Sequence, residues 1–419
     1  MLSSKHPQID NLFFSTTYLN FIMSHHQVLI VGGGTAGITV AAMLQNQPEP
    51  PQVSLIEPSD THYYQPIWTL VGGGVFDKSI SARPMADYIP GGVNWIRSAV
   101  SQFDPDNNLV HTSDGATHTY DALVVAAGIQ LNWHAIPGLK ESVGKAGSGV
   151  CSNYAFETVD STFHNLKALK KGNAVFTYPN TPIKCGGAPL KITLLASDYW
   201  RRRNLLGQVK VNYYAAMGVI FAVKKYADSL NRAADRYGIE RRYMQELVEI
   251  KPDQQQALFK HLETGDISTV PYDMLHVTPP MGAPDFIKNS PLAGDGGWVP
   301  VDMYTTQHTR YPNIFSLGDC SNLPTSKTGA AIRKQAPVTT HNLLAYLNNQ
   351  PLSHRYDGYT SCPLVTGYGS LIMAEFDYNK IPQETFPFDQ SQERYSMYAL
   401  KAYGLPQMYW HGMLKGREF

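Results

Sequence analysis

The chain has 419 residues, 43% apolar and only 16% charged, with Lys+Arg and Asp+Glu balanced at 34 each. This length exceeds one ordinary core, so two or three packed units are expected, and the composition excludes a disordered chain. Balanced charge supplies no global field toward nucleic acid, and no window offers the roughly 18 consecutive apolar residues of a membrane-spanning helix.

Residues 1–22 carry Phe13, Phe14 and Phe21 but little basic character and no clean apolar run. No secretion signal is expected there, and residues 1–23 are taken as an N-terminal extension, with Met23 an alternative start. His26 to Gly37 reads HQVLIVGGGTAG, an apolar strand running into glycines and then a helical run. Gly32, Gly34 and Gly37 fill the G-x-G-x-x-G positions: a tight turn, close approach of backbone to a pyrophosphate, and tight packing of helix on strand. The pyrophosphate is expected at the helix N-terminus, where free N–H groups and the helix dipole favour negative charge. A second strand, VSLIE, ends at Glu57, placed to bond an adenosine ribose.

Residues 120–128, YDALVVAAG, and 311–320, YPNIFSLGDC, resemble the two later nucleotide-contact strands of flavoproteins with two dinucleotide domains. They favour FAD over NAD, with Asp319 toward the ribityl chain. The helix after Lys327 then aims its N-terminus at the flavin. The mid-chain strand GNAVFTYPN (172–180) is followed by TPIKCGGAPLKI, without a second glycine fingerprint, so a second Rossmann-like unit without NAD binding is expected. Arg201-Arg202-Arg203 is taken as a solvated helix end.

Four cysteines at irregular spacing fit neither a disulfide framework nor a zinc site, which points to a reducing compartment. Cys185 lies in a Gly-rich turn before a helix begun by Pro189, with Lys184 and Lys191 nearby; that setting favours a thiolate. Cys362, in YTSCPLVTGYG, is placed in a loop and on physics alone is ambiguous. Cys320 is taken as packing. Residues 393–415, rich in Tyr, Met and Trp with scattered Lys and His, are expected to form an amphipathic membrane-surface segment.

From about residue 26 to 412 the chain resembles the sulfide:quinone oxidoreductases, in the branch that includes the mitochondrial enzyme. The matching stretches are HYYQPIWTLVGGG (62–74), FTYPNTPIKCGGAPLK (176–191), MLHVTPPM (274–281), YPNIFSLGDCSNLPTSKT (311–328), YDGYTSCPLVTGY (356–368) and AEFDY (374–378). The resemblance implies an α/β fold of two Rossmann-like dinucleotide-binding domains plus a C-terminal membrane-contacting region. Residues 24–145 with 290–345 form the FAD domain, 146–289 the second unit and 346–419 the C-terminal region. FAD is expected to be bound without a covalent link by Gly32, Gly34, Gly37, Glu57, Gln65, Ala127, Gly128, Asp319 and Lys327. Cys185 and Cys362 are implied to be the redox pair, and Cys151, in a region where another branch of the family uses a third cysteine, is left open as a sulfur relay. Hydrogen sulfide attacks at Cys362 to leave a persulfide, Cys185 relays two electrons to FAD, and a small thiol or other nucleophile removes the sulfur. Lys191 and Lys401 are placed toward a membrane quinone. A peripheral protein of the inner or cytoplasmic membrane follows, able to form a homo-oligomer. The rival readings are a type II NADH:quinone dehydrogenase, disfavoured by the missing fingerprint, and a flavin-bearing electron-transfer subunit.

Overall fold

The computed structural model describes residues 23–419. The expected N-terminal extension without a secretion signal therefore lies, apart from Met23, outside the described residues.

A run of buried apolar residues forms β1 (Met23–Val31), which turns at the glycines into α1 (Thr35–Gln45) and returns as β2 (Val53–Ile56). β3 (Asn94–Ile96), the hairpin β4 (Val100–Asp104) and β5 (Leu109–Thr112), and β6 (Thr117–Val125) follow. The second unit contains β7 (Val150–Cys151), β8 (Gly172–Tyr178), α2 (Ala188–Arg201), β9 (Val209–Ala215), α3 (Lys224–Arg236), β10 (Glu240–Tyr243) and β11 (Met274–His276). The chain then returns through β12 (Ile314–Ser316) and α4 (Gly329–Leu347), and ends with the hairpin β13 (Thr360–Gly367) and β14 (Ser370–Phe376) and α5 (Leu405–His411).

Two sheets carry the architecture. The first has the parallel order β3-β2-β1-β6, and the far edge of β6 is shared. β5 pairs with residues 117–119 of β6, and β12 pairs with 123–125. A strand almost 200 residues later in the chain (191 separate Ser316 from Val125) thus completes the first sheet at its C-terminal end. The second sheet is wholly parallel, β7-β11-β8-β9-β10, with α2 and α3 as crossovers. Both are Rossmann-like βαβ arrangements, in which ligands meet the carboxyl ends of the strands.

Strands buried on both faces account for the near-continuous apolar runs: Val28 to Ile30 and Leu123 to Val125 are all 0% exposed. α2 is wedged between the units and buried from Ala188 to Trp200. No helix among the described residues is long and apolar enough to cross a membrane.

Candidate active site

The glycine turn divides its tasks among three residues. Gly32 has φ +105°, and a Cβ there would come within 2.5 Å of the Ala126 carbonyl oxygen, so β6 and the turn can close only on glycine. A Cβ on Gly37 would lie 1.8 Å from the Gly32 carbonyl oxygen, which is how closely α1 rides on the turn. At Gly34 a Cβ would meet nothing within 4 Å. Open space therefore lies at the start of α1, whose first N–H groups no side chain caps. Glu57, just after β2, accepts from the N–H of Gly33 at 2.7 Å and of Ser59 at 2.8 Å. Burial raises its pKa against the pull of those two donors.

The remaining residues expected around the dinucleotide gather at the ends of β6 and β12. Ala127 and Gly128 follow β6, and a Cβ at Gly128 would meet open space. Asp319 lies in a single turn after β12, facing a small cleft that Gly318, Thr325, Lys327, Thr328 and Gln335 also line. Lys327 donates to the carbonyls of Asp319 at 2.6 Å and Ser321 at 2.9 Å, tying this turn to the start of α4. Burial pushes the Asp319 carboxyl up, opposed by the nearby Lys327 and Lys184 ammonium groups. Gln65 accepts from Lys184 at 2.7 Å and so links the first unit to the Cys185 loop. The Cys185 N–H donates to the Lys327 carbonyl at 2.8 Å, closing the two units on one another.

Cys185 and Cys362, far apart in sequence, are brought together as free thiols close enough to shift each other's titration. Cys185 sits at φ +53°, a left-handed conformation that an L side chain rarely adopts and that marks a strained position before α2. Cys362 lies within β13, not in the loop expected for it, because the apolar residues around it pair with β14. Gly187 lets β13 close on the start of α2: a Cβ there would stand 2.5 Å from Leu364 and 3.8 Å from the Cys362 Cβ. The N-terminus of α2, counterpart of the anion-binding end of α1, thus faces a thiol.

Electrostatics separate the two sulfurs. The Cys362 thiol beside it, joined by the Lys191 charge, holds Cys185 well below the usual thiol range despite burial. Cys362 is driven well above it, first by its neighbour Cys185 and then by burial. Lys191, 3% exposed, donates to the Cys185 sulfur at 3.0 Å. Its amine is therefore engaged by the thiol. Lys401 donates to the Pro66 carbonyl at 2.7 Å from within a π-helical turn, Leu400–Gly404. Burial, reinforced by Lys191, takes its pKa down to about 7.

The other two cysteines are packing residues. Cys151 and Cys320 are each 0% exposed, and burial raises both thiols, Cys151 to about 12. Neither is set up as a nucleophile, which weighs against Cys151 as a sulfur relay.

Residues 393–415 do not form one amphipathic helix. The segment breaks into two short α-helices on either side of the π turn, and Met397, Tyr398, Ala402, Tyr409, Trp410, Met413 and Leu414 pack into the same core as α1. Burying these side chains within the chain itself leaves Tyr395 at 71% and Tyr403 at 59% exposure, with Phe76 edge-on to Tyr403 at 5.8 Å. His62, buried and hydrogen-bonded to Tyr409, was given no part by the sequence; its place in an aromatic-rich stretch was the available signal.

A family model described as pyridine nucleotide-disulphide oxidoreductase matches residues 26–169. The mitochondrial sulfide:quinone oxidoreductases of Mus musculus and Dictyostelium discoideum are each 47% identical to this chain, over 94% of it and 87% of their own length. The chain belongs to the sulfide:quinone oxidoreductase family. The solved structure of the sulfide:quinone oxidoreductase from Aquifex aeolicus superposes with a TM-score of 0.80 at 19% identity, covering 94% of this chain and 92% of that one, a likeness of fold. Sulfide:quinone oxidoreductases are FAD-dependent oxidoreductases. The open space at Gly34, the uncapped start of α1 and the Glu57 and Asp319 carboxyls fit that group.

Proposed function

We propose that this chain oxidises hydrogen sulfide to a protein-bound persulfide through Cys185 and Cys362 and delivers the electrons, by way of FAD, to a membrane quinone. The observation that carries this reading is the juxtaposed pair of unlike thiols beside the start of α2, with Lys191 on the Cys185 sulfur.

Residues 24–145 with 290–345 hold FAD in this reading, 146–289 carry the thiol-bearing loop, and 346–419 supply Cys362 and the quinone end. Gly32, Gly34 and Gly37 shape the pyrophosphate site, Glu57 serves the ribose, and Gln65, Ala127, Gly128, Asp319 and Lys327 surround the remainder. When bound, FAD supplies a two-electron acceptor.

The chain's own residues then divide the thiol chemistry. Starting from the oxidised pair, HS⁻ attacks the Cys362 sulfur; a new S–S bond forms there, the Cys185–Cys362 bond breaks, and its electron pair leaves on Cys185. Lys191 stabilises that leaving thiolate, which is the group whose pKa the structure depresses. A small thiol or another nucleophile then takes the outer sulfur, leaving a thiolate on Cys362; the two thiolates re-form the Cys185–Cys362 bond and give up one electron pair, for which FAD would be the acceptor before the quinone. Lys401, close to neutral pH in its protonation, faces the quinone in this reading and can give or take a proton there. Tyr395 and Tyr403, left exposed when the rest of the C-terminal segment packs inward, touch the inner or cytoplasmic membrane surface where the quinone dissolves. The reading is tested by titrating the anaerobic, FAD-loaded protein with sulfide while following the flavin spectrum and trapping the persulfide on Cys362 by alkylation and mass spectrometry.

A further inference from the structure

We propose that His62 and Tyr409 are positioning residues through which the C-terminal segment holds the glycine turn in its FAD-binding shape. The proposal rests on FAD binding at that turn.

His62 is 2% exposed and uses both ring nitrogens. Its Nδ1 lies 3.1 Å from the Gly33 carbonyl oxygen and its Nε2 2.5 Å from the Tyr409 hydroxyl. The Tyr409 hydroxyl also lies 2.9 Å from Thr35 Oγ1, in the first residue of α1. A carbonyl oxygen only accepts, so the proton sits on Nδ1 and Nε2 is an acceptor. Tyr409 must then donate to Nε2, and Thr35 must donate to Tyr409. One order of donors satisfies every group: Thr35 to Tyr409 to His62 to Gly33.

Gly33 is thereby held at both ends, its N–H by Glu57 and its carbonyl by His62. It is the residue immediately before Gly34, where the open space lies. Tyr409 reaches this turn from 374 residues beyond Thr35, so the shape of the first βα turn depends on the far end of the chain. Packing around Tyr409 seals the network: its ring lies 4.5 Å from that of Tyr64, and Trp410 stands edge-on to His62 at 5.6 Å. Tyr409→Phe keeps the ring but leaves His62 Nε2 buried without a donor and frees the turn.

Release of FAD from the holoenzyme, followed as the rise in flavin fluorescence after dilution, tests the proposal, together with the melting temperature of the FAD-free protein. Tyr409→Phe, which removes the bonds to His62 and Thr35, is expected to release FAD about five- to tenfold faster, and His62→Leu, which removes the bonds to Gly33 and Tyr409, to do the same. His62→Gln, whose amide can donate to Gly33 and accept from Tyr409, is expected to restore slow release. Trp410→Phe, which disturbs the packing and spares the network, is expected to lower the melting temperature with FAD release unchanged. Wild-type release from Tyr409→Phe, or equally fast release from Trp410→Phe, overturns the proposal. A wild-type protein that holds no FAD overturns the cofactor site itself, a different result.

Discussion

The Lys191 ammonium lies 3.0 Å from the Cys185 sulfur in a setting where Lys191 is almost wholly buried. A charge so placed acts in low dielectric and is worth far more to a thiolate than a surface lysine. Lys191→Met is therefore expected to raise the pKa of Cys185 and to slow flavin reduction by sulfide at neutral pH by about 10- to 100-fold, the scale of one lost charge-assisted hydrogen bond. The pH profile of Cys185 alkylation in the reduced protein checks the first effect, and stopped-flow absorbance the second.

The glycine turn separates binding from folding. Gly34→Ala places a methyl in open space, so the protein should fold normally and lose flavin. Gly37→Ala forces a methyl onto the Gly32 carbonyl oxygen and should cost about 1–3 kcal/mol or prevent folding. Flavin content and thermal midpoint, measured side by side, distinguish the two.

Acid should destabilise the protein well before the carboxylates titrate. Burial lowers the pKa of His26 and His62 to about 4 and of His276 to about 3, from an ordinary 6.5. A folded pKa below the unfolded one means the unfolded chain binds more protons, so the stability is fully present above pH 6.5. It is lost as pH falls from there toward 4 and below, at up to about 1.4 kcal/mol per pH unit for each histidine. His26, bonded to Ser54 at 2.7 Å and to His118 at 3.1 Å, tests the point: His26→Gln should flatten the fall in thermal midpoint between pH 6.5 and 4.5.

Membrane contact is best tested by point changes. Truncation before Glu393 would remove Tyr409, which is bonded to His62 and Thr35 beside the glycine turn, and so would damage more than a membrane contact. Replacing Tyr395 and Tyr403 together by Ser should reduce flotation with anionic liposomes while leaving flavin content intact. Equal flotation of the double variant would remove these two residues from the membrane surface.

What the sequence disclosed follows from how local each feature is. The turn from Val31 to Gly37 and the helix from Ala188 are each announced by residues within a few positions, and both formed where the glycines and Pro189 place them. Cys185 announced itself by its glycines and lysines for the same reason. Cys362 did not, because its distinction comes from β13 closing on Gly187, a contact that no short window contains. The 393–415 segment misled for a related reason: an apolar stripe looks the same whether a bilayer or the protein's own core covers it, and here the core that includes α1 and β14 covers most of it. The donor chain from Thr35 to His62 joins the two ends of the molecule and carries no local signature at all.

The most direct test of the thiol pair as the route from sulfide to flavin is anaerobic rapid mixing of sulfide with the FAD-loaded protein, wild type against Cys185→Ser and Cys362→Ser. Flavin absorbance should bleach promptly in the wild type and stay oxidised in Cys185→Ser, which should still carry FAD because Cys185 makes no contribution to the glycine turn. Cys362→Ser should lose turnover, whereas Cys320→Ala and Cys151→Ala, both buried and neutral, should retain most of it. Wild-type bleaching in Cys185→Ser, or normal turnover in Cys362→Ser, would contradict the assignment of the redox pair.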